Sequence, residues 1–376
     1  MTVPLHIGID ASRAAVPQPT GTEHYSWRLI NALLRLSGGH RYRLYMREHP
    51  PSNHFLNIPD AEQVVIPFPR LWTHVRLSAE MLFRPPDVLF VPAHVLPIVH
   101  PRSVVTVMDL GHLYYPTAYR QRDRLYLDWS TRWNVGQADH IVAISHATRD
   151  DLIRHCSVDP AKITVIYPGI DDAAFTPPEA GRIQEVRAQY DLPDSYLLYV
   201  GTLHPRKNLV RLIRAFGQML GAWPMEAGEP PLLVLAGKKG WLYDQIFNEA
   251  NTLGLGNRIV FVGYVPQSHL SPLLAGAKAF VFPSLFEGFG FPILEAMACG
   301  VPVVTSRASC LPEVAGDAAL LVDPYDEAEL AHAMMKALTE PALRANLIER
   351  GLRRAREFTW ERCAAETLAV LERVGS

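Results

Sequence analysis

Short, continuous runs of apolar residues alternate with amphipathic helical patterns along almost the whole chain. The runs lack the polar–apolar alternation of a half-buried strand, as in Leu5–Asp10, Val104–Asp109 and Tyr196–Gly201. Strands buried on both faces have this continuous pattern, which is typical of parallel sheets covered by helices. Segments such as Thr22–Leu36 and Arg206–Leu220 predict the covering helices. We therefore predict an α/β fold with right-handed strand–helix crossovers.

The alternation pauses once, in the segment Tyr167–Pro178, whose sequence is YPGIDDAAFTPP. We predict a domain linker there, because this proline-rich segment has no helical or strand periodicity. A chain of 376 residues is also long for one hydrophobic core. The predicted organisation is a Rossmann-like domain over residues 1–170, a second over residues 171–358, and a C-terminal helix within residues 359–376. Two such domains that face each other would form a ligand cleft at the carboxyl ends of their strands.

Composition excludes several classes of function. The formal net charge is −2, so no overall field attracts nucleic acid. The four cysteines are scattered without a zinc-like spacing, which favours reduced thiols, a cytoplasmic location and no metal site. We recognise no signal peptide and no apolar stretch that is long enough to cross a bilayer. The basic cluster Arg353, Arg354 and Arg356 is either a solvated helix face or a peripheral contact with a membrane.

The strongest candidate for a ligand site is the segment Pro283–Val304, whose sequence is PSLFEGFGFPILEAMACGVPVV. A glycine-containing loop holds Glu287, and a helix with Pro292 in its first turn carries Glu295. Free N–H groups at the start of a helix favour a phosphate or a sugar oxygen, and a carboxylate can hold a vicinal diol such as that of ribose. The alternative is that Glu295 only caps or pairs locally and that the glycines only turn the chain.

A second candidate is the segment Tyr199–Asn208, whose sequence is YVGTLHPRKN. A strand is predicted to end at Gly201, and Arg206 and Lys207 follow at the start of a predicted helix. Cations at this position oppose the helix dipole, so they suit a bound diphosphate better than they suit helix stability. The alternative is two solvated basic residues.

A third and weaker candidate is the segment Pro19–His24, whose sequence PTGTEH precedes the first predicted helix. Gly21 at the mouth of this helix would let backbone amides approach a phosphate. The spacing is neither that of a dinucleotide-binding loop nor that of a P-loop, and an ordinary turn is the alternative.

Together these segments resemble glycosyltransferase family 4. The resemblance rests on Glu287 and Glu295, which are separated by seven residues within EGFGFPILEAMACGVPVV, and on the stretches PRKN, GTEHY and VIYPGID. It extends over essentially the whole chain, including the final helix. The bacterial mannosyltransferase-like enzymes that build surface polysaccharides are the most similar group.

The resemblance implies a GT-B fold, in which the first domain faces the acceptor, the second binds a nucleotide-diphosphate sugar, and the last helix packs back toward the first. Glu295 would hold the ribose diol and Glu287 the hydroxyls of the transferred sugar. Arg206 and Lys207 would neutralise the diphosphate. The other implied donor-binding residues are Gly21, Thr22, Gly201, Val265, Gly288, Phe289, Gly290 and Phe291.

The family retains the anomeric configuration and needs no metal or other cofactor, which the resemblance extends to this chain. The expected donor is a GDP- or UDP-linked sugar, with GDP-mannose first. The expected acceptor is a saccharide or a lipid-linked saccharide, and peripheral contact with the inner face of the membrane is left open.

The implied catalytic residues are Glu287, Lys207, Arg206 and Asp109. The chain departs from the family at Met108, where many relatives have a histidine close to the reacting sugar. His112 and His94 are candidates for the acceptor side, although an isolated histidine in a loop is more often structural.

Two alternatives keep the same architecture but change the function. One is a sugar-nucleotide 2-epimerase, which acts on the donor without an acceptor. The other is a non-catalytic protein that only binds a nucleotide sugar, which the departure at Met108 keeps open.

Overall fold

The chain folds into two compact units. The structure is a computed structural model that describes residues 4–15, 21–36, 39–52, 54–93, 95–116, 119–171, 174–240 and 243–376. One unit comprises Met1–Gly169 with Phe358–Ser376, and the other comprises Ile170–Glu357. The chain leaves the first unit inside the proline-rich segment and returns to it just before the last helix.

The first unit is built on a seven-stranded sheet in the order β3-β2-β1-β4-β5-β6-β7, with every neighbouring pair parallel. This order has the Rossmann pattern, in which the chain builds outward from β1 and then returns to its other side. The strands are β1 His6–Asp10, β2 Arg41–Met46, β3 Ala61–Val65, β4 Val88–Val91, β5 Ser103–Val107, β6 His140–Ala143 and β7 Ile163–Val165.

Helices cover this sheet because their apolar stripes need burial. In α1, for example, Tyr25, Leu29 and Leu33 are buried. The helices are α1 Gly21–Arg35, a π-helix Trp72–Leu77 that continues into α2 Ser78–Phe83, α3 Gly111–Tyr114, α4 Gln121–Gln137, α5 His146–Cys156, a 3-10 turn Pro160–Lys162 and the C-terminal α14 Trp360–Gly375.

The second unit has a six-stranded parallel sheet in the order β10-β9-β8-β11-β12-β13, which is again the Rossmann pattern. The strands are β8 Tyr196–Val200, β9 Leu232–Ala236, β10 Ile259–Gly263, β11 Ala279–Phe282, β12 Val303–Ser306 and β13 Ala319–Val322. The helical elements are α6 Ala180–Gln189, 3-10 turns Pro205–Lys207 and Met225–Ala227, α7 Leu209–Gly221, α8 Asp244–Thr252, α9 Gln267–Ala275, α10 Phe291–Ala298, α11 Leu311–Ala315, α12 Glu327–Thr339 and α13 Pro341–Ala355.

The predicted α/β fold with two Rossmann-like, parallel-sheet units is confirmed. One helix boundary was wrong, because Arg206 and Lys207 do not open α7. They lie on a 3-10 turn, and α7 begins at Leu209. The intervening Asn208 has a left-handed backbone, with φ 62°, which separates the turn from the helix. Among the described residues, no helix is long and apolar enough to span a bilayer.

The final helix α14 closes onto the core of the first unit. The ring of Trp360 lies 5.9 Å from that of Tyr25 on α1. Thr359 caps α14 by accepting a hydrogen bond from the backbone N–H of Arg362. A Cβ atom on Gly169 would overlap the backbone of Thr359 and Trp360. The glycine of the YPGID stretch is therefore required by the close approach of two chain segments.

We expect Gly169→Ala to destabilise the protein by at least about 2 kcal/mol, because the added methyl forces the start of α14 away from its seat. Gly136→Ala in α4 is the matched control, since a Cβ atom there meets no heavy atom within 4 Å. Thermal unfolding should show a clear loss of melting temperature for Gly169→Ala and none for Gly136→Ala. Equal melting temperatures for the two variants would contradict the close packing at Gly169.

Candidate functional site

The candidate site lies at the point in the second sheet where the strand order reverses. This switch point is between β8 and β11, whose carboxyl ends lie at the same edge of the parallel sheet. The connection that follows β8 carries Arg206 and Lys207, and the connection that follows β11 carries Glu287. Two segments that are about eighty residues apart in sequence therefore meet at one edge.

An ion pair joins these two connections. Lys207 donates a hydrogen bond from Nζ to Oε1 of Glu287 at 2.5 Å, and the two side chains are only 13% and 10% exposed. The ammonium also lies 5.0 Å from the centroid of the Phe282 ring, at the end of β11. Lys207 is thus held by a carboxylate and an aromatic face rather than extended into solvent.

Glu287 is kept ionised by its surroundings. Burial alone would raise the pKa of this carboxyl, but Lys207 and Arg206 outweigh burial and hold the pKa below its ordinary value. Ser284 adds a hydrogen bond from Oγ to Oε1 at 2.5 Å. Both contacts use Oε1, and Oε2 has no hydrogen-bond donor among the described residues. Glu287 can therefore accept a hydroxyl at one oxygen while Lys207 neutralises the other.

Arg206 fixes the two connections to each other through the backbone. Its guanidinium donates to the carbonyl of Phe286 at 3.1 Å. Its own carbonyl accepts from the N–H of Leu285 at 2.9 Å and from the hydroxyl of Ser284 at 3.2 Å. The structure therefore places Arg206, Lys207 and Glu287 within one hydrogen-bonded cluster.

The loop between β11 and α10 turns sharply at Gly290. Its backbone has φ 99°, and a Cβ atom there would lie 2.9 Å from the Leu311 side chain, so both conformation and space require glycine. The amides of Gly288, Gly290 and Phe291 donate to no other described residue. They lie in the loop that leads into α10 and at its first residue, and free N–H groups in this arrangement favour an anion or a sugar oxygen. Phe289 is buried in the same loop.

Glu295 lies one turn into α10 and differs from Glu287 in its surroundings. It is half-buried, and its carboxylate has no hydrogen bond or ion pair with another described residue. Burial raises its pKa to about 7. A half-buried carboxyl without a protein partner is suited to accept hydroxyls from a ligand.

The remaining predicted residues of the second unit lie at the same sheet edge. Gly201 follows β8 and donates its N–H to Ala236 at 2.9 Å. Val265 follows β10 and is buried, whereas Tyr264 beside it is exposed. The ammonium of Lys238 lies 4.7 Å from the centroid of the Tyr264 ring. An aromatic ring and a cation thus lie beside Val265, one of the predicted donor-binding residues.

The predicted residues of the first unit lie at the corresponding edge of its own sheet. Gly21 and Thr22 begin α1, which follows β1. Asp109 follows β5 and accepts a hydrogen bond from the N–H of Gly111 at 2.8 Å, which forms a turn just before the short helix α3. His112 on α3 is only 3% exposed, and burial lowers its pKa. His94 lies outside the described residues.

Three residues of the second unit were missed by sequence reasoning. Ser284 orients Glu287, Asn208 ties the 3-10 turn to the carbonyl of Pro324 at 2.6 Å, and Lys238 adds a cation near Val265. Ser284 was detectable, because a hydroxyl two residues after a buried strand and three residues before Glu287 can bond within the same loop. Within the ranges that the structure describes, no cluster of His, Cys, Asp or Glu could hold a metal ion.

The two Rossmann-like units, with a cationic site at the switch point of the second, match the architecture expected of a GT-B glycosyltransferase. Two family models cover most of the chain. The model described as glycosyl transferases group 1 matches residues 183–354, and the model described as Glycosyltransferase Family 4 matches residues 19–174. The chain belongs to glycosyltransferase family 4.

Curated relatives with similar sequences include mannosyltransferases of Escherichia coli. The O-antigen chain mannosyltransferase B is 36% identical over 279 residues, which are 74% of this chain and 72% of the relative. The serotype-specific mannosyltransferase WbdA is 33% identical over 231 residues, which are 61% of this chain but only 28% of that protein.

Solved structures of other glycosyltransferases share the fold. Sucrose-phosphate synthase from Thermosynechococcus elongatus has a TM-score of 0.75 at 22% identity, covering 98% of each chain. HepE from Anabaena, crystallised with UDP-glucose, has a TM-score of 0.73 at 20% identity, covering 98% of this chain and all of HepE. These likenesses extend to nearly every residue of the chain.

We expect the affinity for a nucleotide sugar to rise with pH around neutrality. Below pH 7 the Glu295 carboxyl is mostly protonated, and a hydroxyl-binding carboxylate must be ionised. If only the ionised form binds, the dissociation constant should fall about tenfold between about pH 6 and pH 8. Titration calorimetry should show this slope for the wild type and a flat profile for Glu295→Gln. A slope that persists in Glu295→Gln would assign the titration to another group.

Proposed function

We propose that this glycosyltransferase transfers a hexose, with mannose as the first candidate, from a nucleotide-diphosphate sugar to a saccharide or lipid-linked acceptor in surface-polysaccharide synthesis. The carrying observation is the buried Lys207–Glu287 pair at the switch point of the second unit. The 36% sequence identity with an O-antigen chain mannosyltransferase supports mannose as the transferred sugar. GDP-mannose is therefore the first candidate for the donor, and a UDP-sugar is the second. The UDP-glucose bound to HepE supports the class of donor.

The donor would bind in three parts. The diphosphate would meet Arg206 and Lys207 and the free amides that begin α10, since cations and unpaired N–H groups stabilise phosphate oxygens. The ribose diol would be held by Glu295. A hydroxyl of the transferred sugar would donate a hydrogen bond to Oε2 of Glu287.

The chemistry would be a front-face transfer that retains the anomeric configuration. The bond between the sugar C1 and the diphosphate oxygen breaks, and its electron pair goes to the diphosphate. The acceptor oxygen bonds to C1 on the same face and passes its proton to the departing phosphate oxygen. Arg206 and Lys207 stabilise the charge as it develops on the leaving group, which lowers the barrier.

Glu287 would bind the sugar rather than transfer a proton. Its pKa is lowered by Lys207 and Arg206, so it is poorly suited to act as a general acid. The same two cations can supply the charge that a divalent metal gives in other transferases, and we propose that the reaction needs no metal. A chelator should leave the rate unchanged.

The proposed location is the cytoplasm, at or near the inner face of the membrane. All four cysteines are free thiols, which fits a reducing compartment. Three of them are buried, so they pack as small apolar side chains.

We expect Lys207→Ala and Glu287→Gln to lower kcat at saturating donor by at least about 100-fold, because each removes a group that acts on the developing charge or orients the sugar. Lys162→Ala, at an exposed lysine of the first unit, is the matched control. Initial rates should be measured with the melting temperature of each variant, since an unpaired Glu287 also costs stability. If both variants folded and kept the wild-type rate, the assignment of Lys207 and Glu287 to the active site would be wrong.

We expect GDP-mannose to give the largest thermal stabilisation in a panel of GDP-, UDP-, dTDP- and ADP-sugars, since a ligand well above its Kd stabilises by a few kcal/mol. NMR of the product should show the anomeric configuration of the donor. An inverted product would overturn retention. If the donor sugar were epimerised at C2 in the absence of an acceptor, the enzyme would be an epimerase rather than a transferase.

A further inference from the structure

The first unit exposes many large apolar side chains on one group of neighbouring segments. Phe83, Leu71 and Leu82 are 80%, 67% and 62% exposed. We call the whole set the apolar face. Its exposed members are Leu71, Val75, Leu82, Phe83, Ile98, Val99, Leu125, Tyr126 and Trp129. Elsewhere in the described chain only a few large apolar side chains are exposed, and they are scattered. Most of the exposed large apolar side chains are therefore concentrated on this face.

Contacts between the segments show that the face is continuous. The ring of His74 on the π-helix lies 5.4 Å from that of Trp129 on α4. The hydroxyl of Ser78 on α2 accepts hydrogen bonds from the N–H groups of Ile98 and Val99 at 2.9 and 3.3 Å. Trp133 of α4 donates to the carbonyl of Leu96 at 3.2 Å. The helical segment 72–83, the loop 96–99 and α4 therefore adjoin.

Helix α4 buries few of its apolar side chains against the rest of the described chain. Its buried residues are only Ser130, Asn134 and Val135, all in its second half. The first half carries Leu125 and Tyr126 without burying either of them. A helix that leaves its large apolar residues exposed has a surface available for another phase or partner.

The charge around the apolar face is strongly positive. The stretches 70–84 and 119–133 contain seven arginines and three carboxylates, a net charge of +4 in a chain whose total is −2. Arg70 and Arg84 flank the helical segment at its two ends, and Arg122 precedes Leu125. None of these three side chains forms an ion pair or a hydrogen bond with another described residue.

We propose that the apolar face docks the enzyme on an anionic phospholipid surface. Aliphatic side chains such as Leu82 and Phe83 suit the acyl boundary, and aromatic residues such as Trp129 suit the headgroup level. Flanking arginines attract lipid phosphates, while their stems cover apolar surface. A saccharide would stack on the aromatic rings, but it would leave the aliphatic members of the face uncovered.

The C-terminal arginine cluster is the poorer candidate for membrane contact. Arg354 is occupied, since it donates to the carbonyls of Val314 and Glu313 and pairs with Glu357. Large exposed apolar side chains do not accompany Arg353 and Arg356 among the described residues of α13. The apolar face with its flanking arginines is therefore a better candidate for membrane contact than the C-terminal arginine cluster.

Co-sedimentation of the full chain with vesicles tests the proposal. The wild type should sediment with phosphatidylcholine vesicles that contain phosphatidylglycerol, and much less with phosphatidylcholine alone or at high salt. Leu82→Glu/Phe83→Glu should weaken binding by at least about tenfold, and Arg70→Glu/Arg84→Glu by a similar factor. Met225→Glu, at a residue 95% exposed in the second unit, is the matched control and should bind like the wild type.

Activity on a soluble acceptor should be unchanged in these variants, so failure here is distinct from failure of the proposed function. The proposal is overturned if the wild type stays in the supernatant with anionic vesicles. It is equally overturned if the Leu82/Phe83 variant sediments as the wild type does. Vesicle-independent dimers that are lost in that variant would assign the face to a second copy of the chain.

Discussion

The arrangement of the candidate site depends on the Lys207–Glu287 ion pair. Each partner comes from a different connection, and the pair joins them where the strand order of the second sheet reverses. A buried ion pair contributes little net stability, because desolvation of both charges offsets their attraction. Its value here is orientation, since it holds an ammonium and a carboxylate at the mouth of α10 before a donor arrives. Preorganised charge of this kind costs no rearrangement during the reaction.

The position of this site could be predicted from the sequence with one rule about parallel sheets. Continuous apolar runs indicate parallel strands, and parallel strands place their following loops at one edge of a sheet. Arg206, Lys207 and Glu287 each come shortly after such a run, so their convergence was predictable. Gly169 shows the limit of this reasoning. Its place in a proline-rich stretch marked a linker, but only the structure shows that it packs against the start of α14.

Other features depend on tertiary context that a sequence pattern does not carry. Asn208 takes a left-handed conformation that ends the 3-10 turn, so the cations precede α7 instead of opening it. His112 is buried on a short helix, although the sequence suggested that it lies in a loop. Leu82 and Phe83 continue a short apolar run with the buried Met81 and are nevertheless exposed. In each case the outcome depends on how segments that are distant in sequence pack together.

Diffraction from crystals grown with a nucleotide-diphosphate sugar is the most direct measurement of the central claim. The account predicts phosphate oxygens within about 3 Å of the Lys207 ammonium and the Arg206 guanidinium, with the ribose hydroxyls on Glu295. A diphosphate bound at another edge, with the Lys207–Glu287 pair and the Glu295 carboxylate untouched by ligand, would contradict it.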